Sequence, residues 1–247
     1  MVSPVGVRLL GGFELVRDGR TVLLPPTAQR LVAFLAMLGR PVERSFVAGS
    51  FWLDLPDRRA AANLRATVWR LNRAGCGVRA TQAGHDVRAI VDGSPSHLWL
   101  DPGVAVDHRD AVSLALRLID PRQEVDDDEL DIAILESDLL PGFDADWVLL
   151  ERERIRQLRL HALDALCDRL TTAGQPARAV LAGLAAVRAE PLRESAQRSL
   201  IRAHLEAGNR SEAMRQYGRF KSLLHDQLGM SPSHLMHALM GPVFAAP

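Results

Sequence analysis

Residues 58–74 read RRAAANLRATVWRLNRA. Wound at 100° per residue, this stretch sorts into two faces. Ala60, Ala61, Leu64, Val68 and Leu71 fall on one side and form a face for a core. Arg59, Ala62, Ala66, Arg70 and Arg73 fall opposite, with Asn63 and Trp69 at the borders. The second face suits the major groove of DNA. Its alanines let the backbone come near the bases, a guanidinium can take both acceptors of a guanine edge, and an Asn can do the same with adenine. A solvated arginine face on an ordinary amphipathic helix has the same look, and the helix alone fits that description better. What precedes and follows it reverses the balance.

Upstream, 7–10 and 13–16 read as short strands, Asp18-Gly19 as a turn, and 21–24 as a returning strand. Pro25-Pro26 ends that sheet. Thr27 is a candidate cap for the helix QRLVAFLAML, whose apolar positions 31, 34, 35 and 38 keep helical spacing; Gly39 closes it. Pro41-Val42 is a short bridge. Ser45 is a candidate cap for a second helix running to about Phe51 or Trp52, and LDLPD makes a tight loop before the arginine-rich helix. Gly75 ends that helix. Extended pieces follow at 78–81, 87–91 and 98–100, with DGSPS at 92–96 as the turn between the last two. A small sheet, three helices and a β-hairpin, in that order, predict a winged helix-turn-helix over residues 1–103. Pro102-Gly103 marks the junction.

From Asp107 the pattern is helical throughout, with candidates at 108–119, 128–137, 144–173, 176–189, 192–206, 210–228 and 232–240. Ala173-Gly174 recurs as Ala207-Gly208, Ala179 as Ala213 and Leu166 as Leu200, all at an offset of 34. Paired helices with a 34-residue period are the signature of the tetratricopeptide repeat. An irregular bundle with a chance match is the alternative. The expected fold is therefore mainly α with small β: a winged helix followed by an all-α, tetratricopeptide-like domain over 104–247.

Charge supports the same division. Residues 1–100 hold 13 Arg against 7 acidic residues, and the remainder holds 17 Lys and Arg against 23, so the halves carry +6 and −6 within a net charge of zero. Only the first half is suited to a polyanion. Arginine is also general here: 29 of the 30 basic residues are Arg, with Lys221 the exception. No apolar run reaches the roughly 20 residues of a membrane helix, and MVSPVGVRLLGG lacks the form of a secretion signal, so a cytoplasmic protein with no membrane partner is expected. Cys76 and Cys167 lie in no metal-binding or redox spacing, which suits idle thiols in a reducing compartment.

Other chemistry finds little footing. The acidic run Asp126, Asp127, Asp128, Glu129 and Asp131 lacks the Gly bend and terminal Glu of a calcium loop. His234 and His237 share a helix face without a third ligand. His85-Asp86 has no nucleophile beside it, and no GxSxG or HExxH occurs. No enzyme activity, metal or cofactor is expected. Trp52, Trp147 and Tyr217 read as packing residues, and Trp69 as packed beneath the wing.

Longer stretches carry a resemblance. LLGGFELVRDGR, QRLVAFLAML, FWLDLPD, RRAAANLRATVWRLNRAG, LDPGVAVDHRDAVSLALRLID, LLPGFDADWVLLERERIRQLRLHALD, EPLRESAQRSLIRAHLEAGN and AMRQYGRFKSLLHDQLGMSPS, in this order and spacing, resemble the SARP family of actinobacterial antibiotic regulatory proteins. These pair an OmpR-type winged helix with a bacterial transcriptional activation domain. The resemblance implies that Ala66 and Arg70 reach bases, that Asn72 and Arg73 lie nearer phosphates, and that the hairpin near 87–100 is the wing in the minor groove. With Arg59 and Asn63 from the outer face, these residues make up the expected DNA site. The resemblance also implies that the loop 53–58, with Leu55, Asp57 and Arg58, meets RNA polymerase. The expected function is sequence-specific activation of a secondary-metabolite (antibiotic) pathway, with two copies bound side by side, as a homodimer at least on DNA, to direct repeats in double-stranded promoter DNA, recruiting the polymerase holoenzyme. The stretch between Gly77 and His97 is longer than the family leads one to expect. No GxxxxGK[ST] loop occurs, so the short form without an ATPase module is expected. The alternative is a repeat-type interaction regulator whose winged helix is vestigial or binds protein.

Overall fold

The computed structural model describes residues 5–75, 89–125 and 132–245. The expected strand 78–81, Cys76, the pair His85-Asp86 and the acidic run 126–131 lie outside them. The chain divides into two compact units, one of residues 1–110 with 138–144, the other of 111–137 with 145–247.

The first unit opens with β1 (Val5–Arg8), β2 (Glu14–Arg17) and β3 (Arg20–Thr21). Asp18 and Gly19 both take positive φ, 48° and 76°, the geometry of a tight hairpin turn. β7 (Ala105–Val106) joins β1 in parallel and completes a four-stranded sheet in the order β3-β2-β1-β7. Val5, Val7, Leu9 and Leu15 bury one face of it.

Helix α1 (Pro26–Leu38) buries Ala28, Leu31, Val32, Phe34 and Leu35 and stops at Gly39, whose left-handed backbone (φ 61°) lets its N–H reach the Leu35 carbonyl. Its cap is Pro25, not Thr27, which is an exposed residue of the first turn. Pro25 already has extended geometry, and Pro26 at the first helical position has no N–H to satisfy. The second helix is similar: α2 (Arg44–Phe51) begins from Glu43, so Ser45 lies inside it. β4 (Val42–Glu43), β6 (His97–Leu100) and β5 (Val91–Gly93) form an antiparallel sheet in the order β4-β6-β5. Between them comes α3 (Asp57–Gly75), the long helix of this unit.

The segment 138–144 adds a clasp to the end of β1. Gly11 N–H donates to the Asp138 carbonyl at 2.7 Å, and Leu140 N–H to that of Leu9 at 2.8 Å. Leu139 and Leu140 are buried, and Leu140 takes φ 45°, a strained value for a leucine that the clasp holds in place. The same Leu9 and Leu10 donate their N–H groups to the Asp107 carboxylate at 2.8 and 3.1 Å.

The second unit is helical: α4 (Asp107–Ile119, entering from the first unit), α5 (Ile132–Glu136), α6 (Asp146–Thr172), α7 (Pro176–Ala189), α8 (Glu194–Glu206), α9 (Arg210–Leu228) and α10 (His234–Ala245). The 34-residue offset reappears in the backbone. Gly174 and Gly208 are both left-handed, φ 69° and 75°. Gln175 N–H bonds the Leu170 carbonyl at 2.9 Å, and Asn209 N–H bonds that of His204 at 2.8 Å. Ala179 and Ala213 are fully buried. Two paired-helix units, α6–α7 and α8–α9, thus follow one template. Small residues set their approach: a Cβ on Gly183 would stand 3.1 Å from Leu200.

Arginines close several helix ends here. Arg159, almost fully buried, donates to the Ser137 carbonyl at 2.6 Å and to that of Glu136 at 3.3 Å. Arg169 donates to the Arg117 carbonyl in the last turn of α4 and to those of Asp120 and Gln123 beyond it. A cation at a helix C-terminus meets both the unpaired carbonyls and the dipole.

Candidate nucleic-acid interface

α3 lies between α2 and the β5–β6 hairpin. Ala60, Leu64 and Leu71 are buried, as is Thr67, whose hydroxyl donates back to the Asn63 carbonyl at 2.8 Å. The opposite side is open. Arg59, Ala62, Asn63, Arg65, Trp69, Arg70 and Arg73 are exposed and Ala66 is half-buried. Among the described residues, no hydrogen-bond or ion-pair partner engages the guanidinium group of Arg59, Arg65 or Arg70. This contrasts with several arginines of the second unit: Arg159 and Arg169 close helix ends, and Arg193 and Arg202 pair with Asp164 and Asp168.

Asn72 is placed otherwise than expected. It is half-buried; its side-chain N–H donates to the Val91 carbonyl at 2.9 Å, and its side-chain oxygen accepts the Val91 N–H at 3.3 Å. Both the nitrogen and the oxygen of the amide bond β5, so Asn72 holds the hairpin to the helix. Trp69 departs in the opposite sense. It is not packed away: 61% of its surface is exposed, and the Arg73 guanidinium carbon sits 5.2 Å from its ring centroid.

The loop before α3 is shorter than 53–58. Leu55 N–H bonds the Trp52 carbonyl at 3.1 Å, and Pro56 accepts from Arg59 and Ala60. Asp57 and Arg58 are the exposed first residues of α3 rather than loop. Asp57 there complements the positive helix end. Leu53 projects, 83% exposed, and Leu55 is half-buried.

The described part of the expected wing is β5, β6 and their turn. Arg44, which the sequence did not single out, fixes the turn to the start of α2. Its N–H bonds the Ser96 carbonyl and its guanidinium Nε bonds that of Ser94, both at 2.8 Å. Gly93 is needed at this crossing, since a Cβ would stand 2.7 Å from the His97 carbonyl and 2.9 Å from Arg44. A groove of about 1220 Å³ runs between α2, α3 and this turn, and its lining includes Arg44, Arg65 and Arg73 with Asp57, Ala48 and Ala61. A smaller cleft of 170 Å³ on the other flank of α3 brings Asn63, Ala66 and Arg70 beside Trp52. Cation-lined concavities on both sides of an exposed helix suit a polyanion with protruding backbones.

Among the described residues no cluster of three His, Cys, Asp or Glu could hold a metal ion. Burial, with Asp168 and Asp164 nearby, pushes the Cys167 thiol up to about 12, so it stays protonated and inert at neutral pH. No described helix is long and apolar enough to cross a membrane.

Residues 109–243 match the family of the bacterial transcriptional activator domain. The regulatory protein AfsR of Streptomyces coelicolor is 28% identical over 228 residues, which cover 91% of this chain and 22% of AfsR. AfsR of Streptomyces griseus is 25% identical over 232 residues, again 22% of its length. The chain thus spans about a fifth of these relatives. Among solved structures, EmbR of Mycobacterium tuberculosis, in complex with a low-affinity phosphopeptide, shares the fold with a TM-score of 0.70 at 21% identity, covering 98% of this chain and 65% of that one. With its helical unit matched almost throughout, and with AfsR aligned across both units, the chain belongs to the bacterial transcriptional activator domain family, as a SARP-type transcriptional regulator.

Proposed function

We propose that the chain is a sequence-specific, DNA-binding activator working in the cytoplasm, with its first unit reading double-stranded promoter DNA through α3. The observation that carries this is the exposed face of α3, where the guanidinium groups of Arg59, Arg65 and Arg70 have no partner among the described residues. Arg70 with Ala66 and Asn63 is placed for base edges, and Arg59 and Arg73 flank them. Asn72 contributes by positioning β5. The turn at Gly93–Ser96 is the wing. Leu53 and Leu55 offer polymerase an apolar contact at the loop, next to Asp57 and Arg58. Two copies side by side on direct repeats, acting on a secondary-metabolite pathway, complete the proposal; the relatives support its regulatory part.

Fluorescence anisotropy with promoter duplexes at several salt concentrations tests this. Log affinity is expected to fall with log salt by about 0.9 for each phosphate neutralised. Arg70→Ala should cost roughly 1–3 kcal/mol and relax one base position. Binding without sequence preference at low salt, together with firm capture of polymerase holoenzyme, would favour the interaction-protein reading instead.

A further inference from the structure

We infer that Trp69 and Arg73 act as one reading unit that selects a thymine adjacent to a guanine. The inference rests on the proposed DNA-reading role of α3 and names what that helix prefers.

Among the described residues Trp69 is the one large apolar side chain exposed on α3. It stands on the border of the face that carries Ala62, Ala66, Arg70 and Arg73. An indole facing water has no role in the unit's own core, where Leu64 and Leu71 already fill the buried side. The major groove presents only one apolar feature to such a side chain, the C5 methyl of thymine. Ala62 and Ala66, small and on the same side, let the helix come near enough for the indole to cover that methyl.

Arg73 lies one helical turn on, with its guanidinium carbon 5.2 Å from the ring centroid. The stacking restrains the planar fork before DNA arrives, so less rotamer freedom is lost on binding. A fork held beside the indole meets the next base step. Its complement there is the guanine O6 and N7 pair, which accepts two parallel hydrogen bonds. The pairing accounts for both oddities of the site, an uncovered tryptophan and an arginine stacked on it.

The test uses the full chain and duplexes selected from a randomised library. Each thymine of the selected duplex is replaced in turn by deoxyuridine, which removes only the methyl group. At one thymine in each half-site the wild type should bind about fourfold more weakly, the worth of one buried methyl. Trp69→Ala should bind the thymine and deoxyuridine duplexes equally. Replacing the neighbouring guanine by 7-deazaguanine should weaken the wild type several-fold and leave Arg73→Ala indifferent. Trp69→Phe, which keeps an apolar ring, should keep part of the methyl discrimination and serves as the folding control. A selected sequence bound with steep salt dependence, yet insensitive to every deoxyuridine, overturns this inference alone. So does a methyl effect that survives in Trp69→Ala. Failure of the library to enrich any sequence overturns the DNA-reading proposal and this inference with it.

Discussion

Asn72→Ala separates a residue that positions from one that contacts. Val91 is 1% exposed, and the Asn72 amide satisfies both its N–H and its C=O. Truncation leaves two buried backbone groups without those partners. Each such group costs about 1–3 kcal/mol, so a loss of roughly 2–4 kcal/mol is expected once some solvent reaches the strand. That is a large share of the 5–15 kcal/mol that holds a typical domain together. A urea titration should show it as a lower midpoint at unchanged slope. The slope of log DNA affinity against log salt should stay at the wild-type value, because no phosphate contact has been removed. Arg70→Ala gives the opposite signature, with stability within about 0.5 kcal/mol of wild type and weakened binding. If Asn72→Ala keeps full stability while its salt slope falls by about 0.9, Asn72 is a phosphate contact and the clamp is wrong.

Gly183→Val forces α7 from α8, since even the first added carbon would stand 3.1 Å from the buried Leu200; a loss of about 2–3 kcal/mol by chemical denaturation is expected. Glu194 joins α8 to the start of α10. Its partial burial opposes ionisation, but the Ser233 hydroxyl and N–H and the Arg198 guanidinium outweigh this and hold its carboxyl below the ordinary 4.5. A lowered carboxylate stabilises the fold fully above its unfolded value and ceases to do so as pH falls through the lowered one. The difference in Tm between wild type and Glu194→Gln should therefore be widest near neutrality and shrink below about pH 4.5.

Where periodicity decides structure, the sequence was legible. The two faces of α3, the stop at Gly39, the turn at Asp18-Gly19 and the 34-residue recurrence all follow from spacing or from a residue with special backbone freedom. The helix starts were not legible, because Thr27 and Ser45 have the chemistry of caps while Pro25 and Glu43 hold the geometry. β7 has two residues, and its partner is about 100 positions away, so no local pattern announces it. The arginines divide on the same principle. One sequence cannot tell a guanidinium that closes a distant helix, as Arg159 and Arg169 do, from one left open, as Arg70 is. The difference lies in which carbonyls the fold brings near. Asn72 and Trp69 both depart from expectation for that reason: the position of β5 ties down Asn72 and leaves Trp69 uncovered.

The clasp at 138–144 bears on where the first unit can be cut. The expected boundary at residue 103 removes β7, Asp107 and the whole clasp. Leu9 and Leu10 then lose the carboxylate that accepts their N–H groups, Gly11 N–H loses the Asp138 carbonyl, and the Leu9 carbonyl loses the Leu140 N–H. Buried Val104, Val106, Leu139 and Leu140 go as well. Four backbone groups left without partners at about 1 kcal/mol or more each, before any apolar loss, take up most of a small domain's stability. A fragment of residues 1–103 should therefore melt without cooperativity or far below the full chain. A fragment of residues 1–145 should retain a cooperative transition and salt-dependent DNA binding, because it keeps β7, Asp107 and the clasp. Equal melting of the first fragment and the intact chain would show that β1 is held by its own sheet, and that the clasp is an attachment rather than part of the fold.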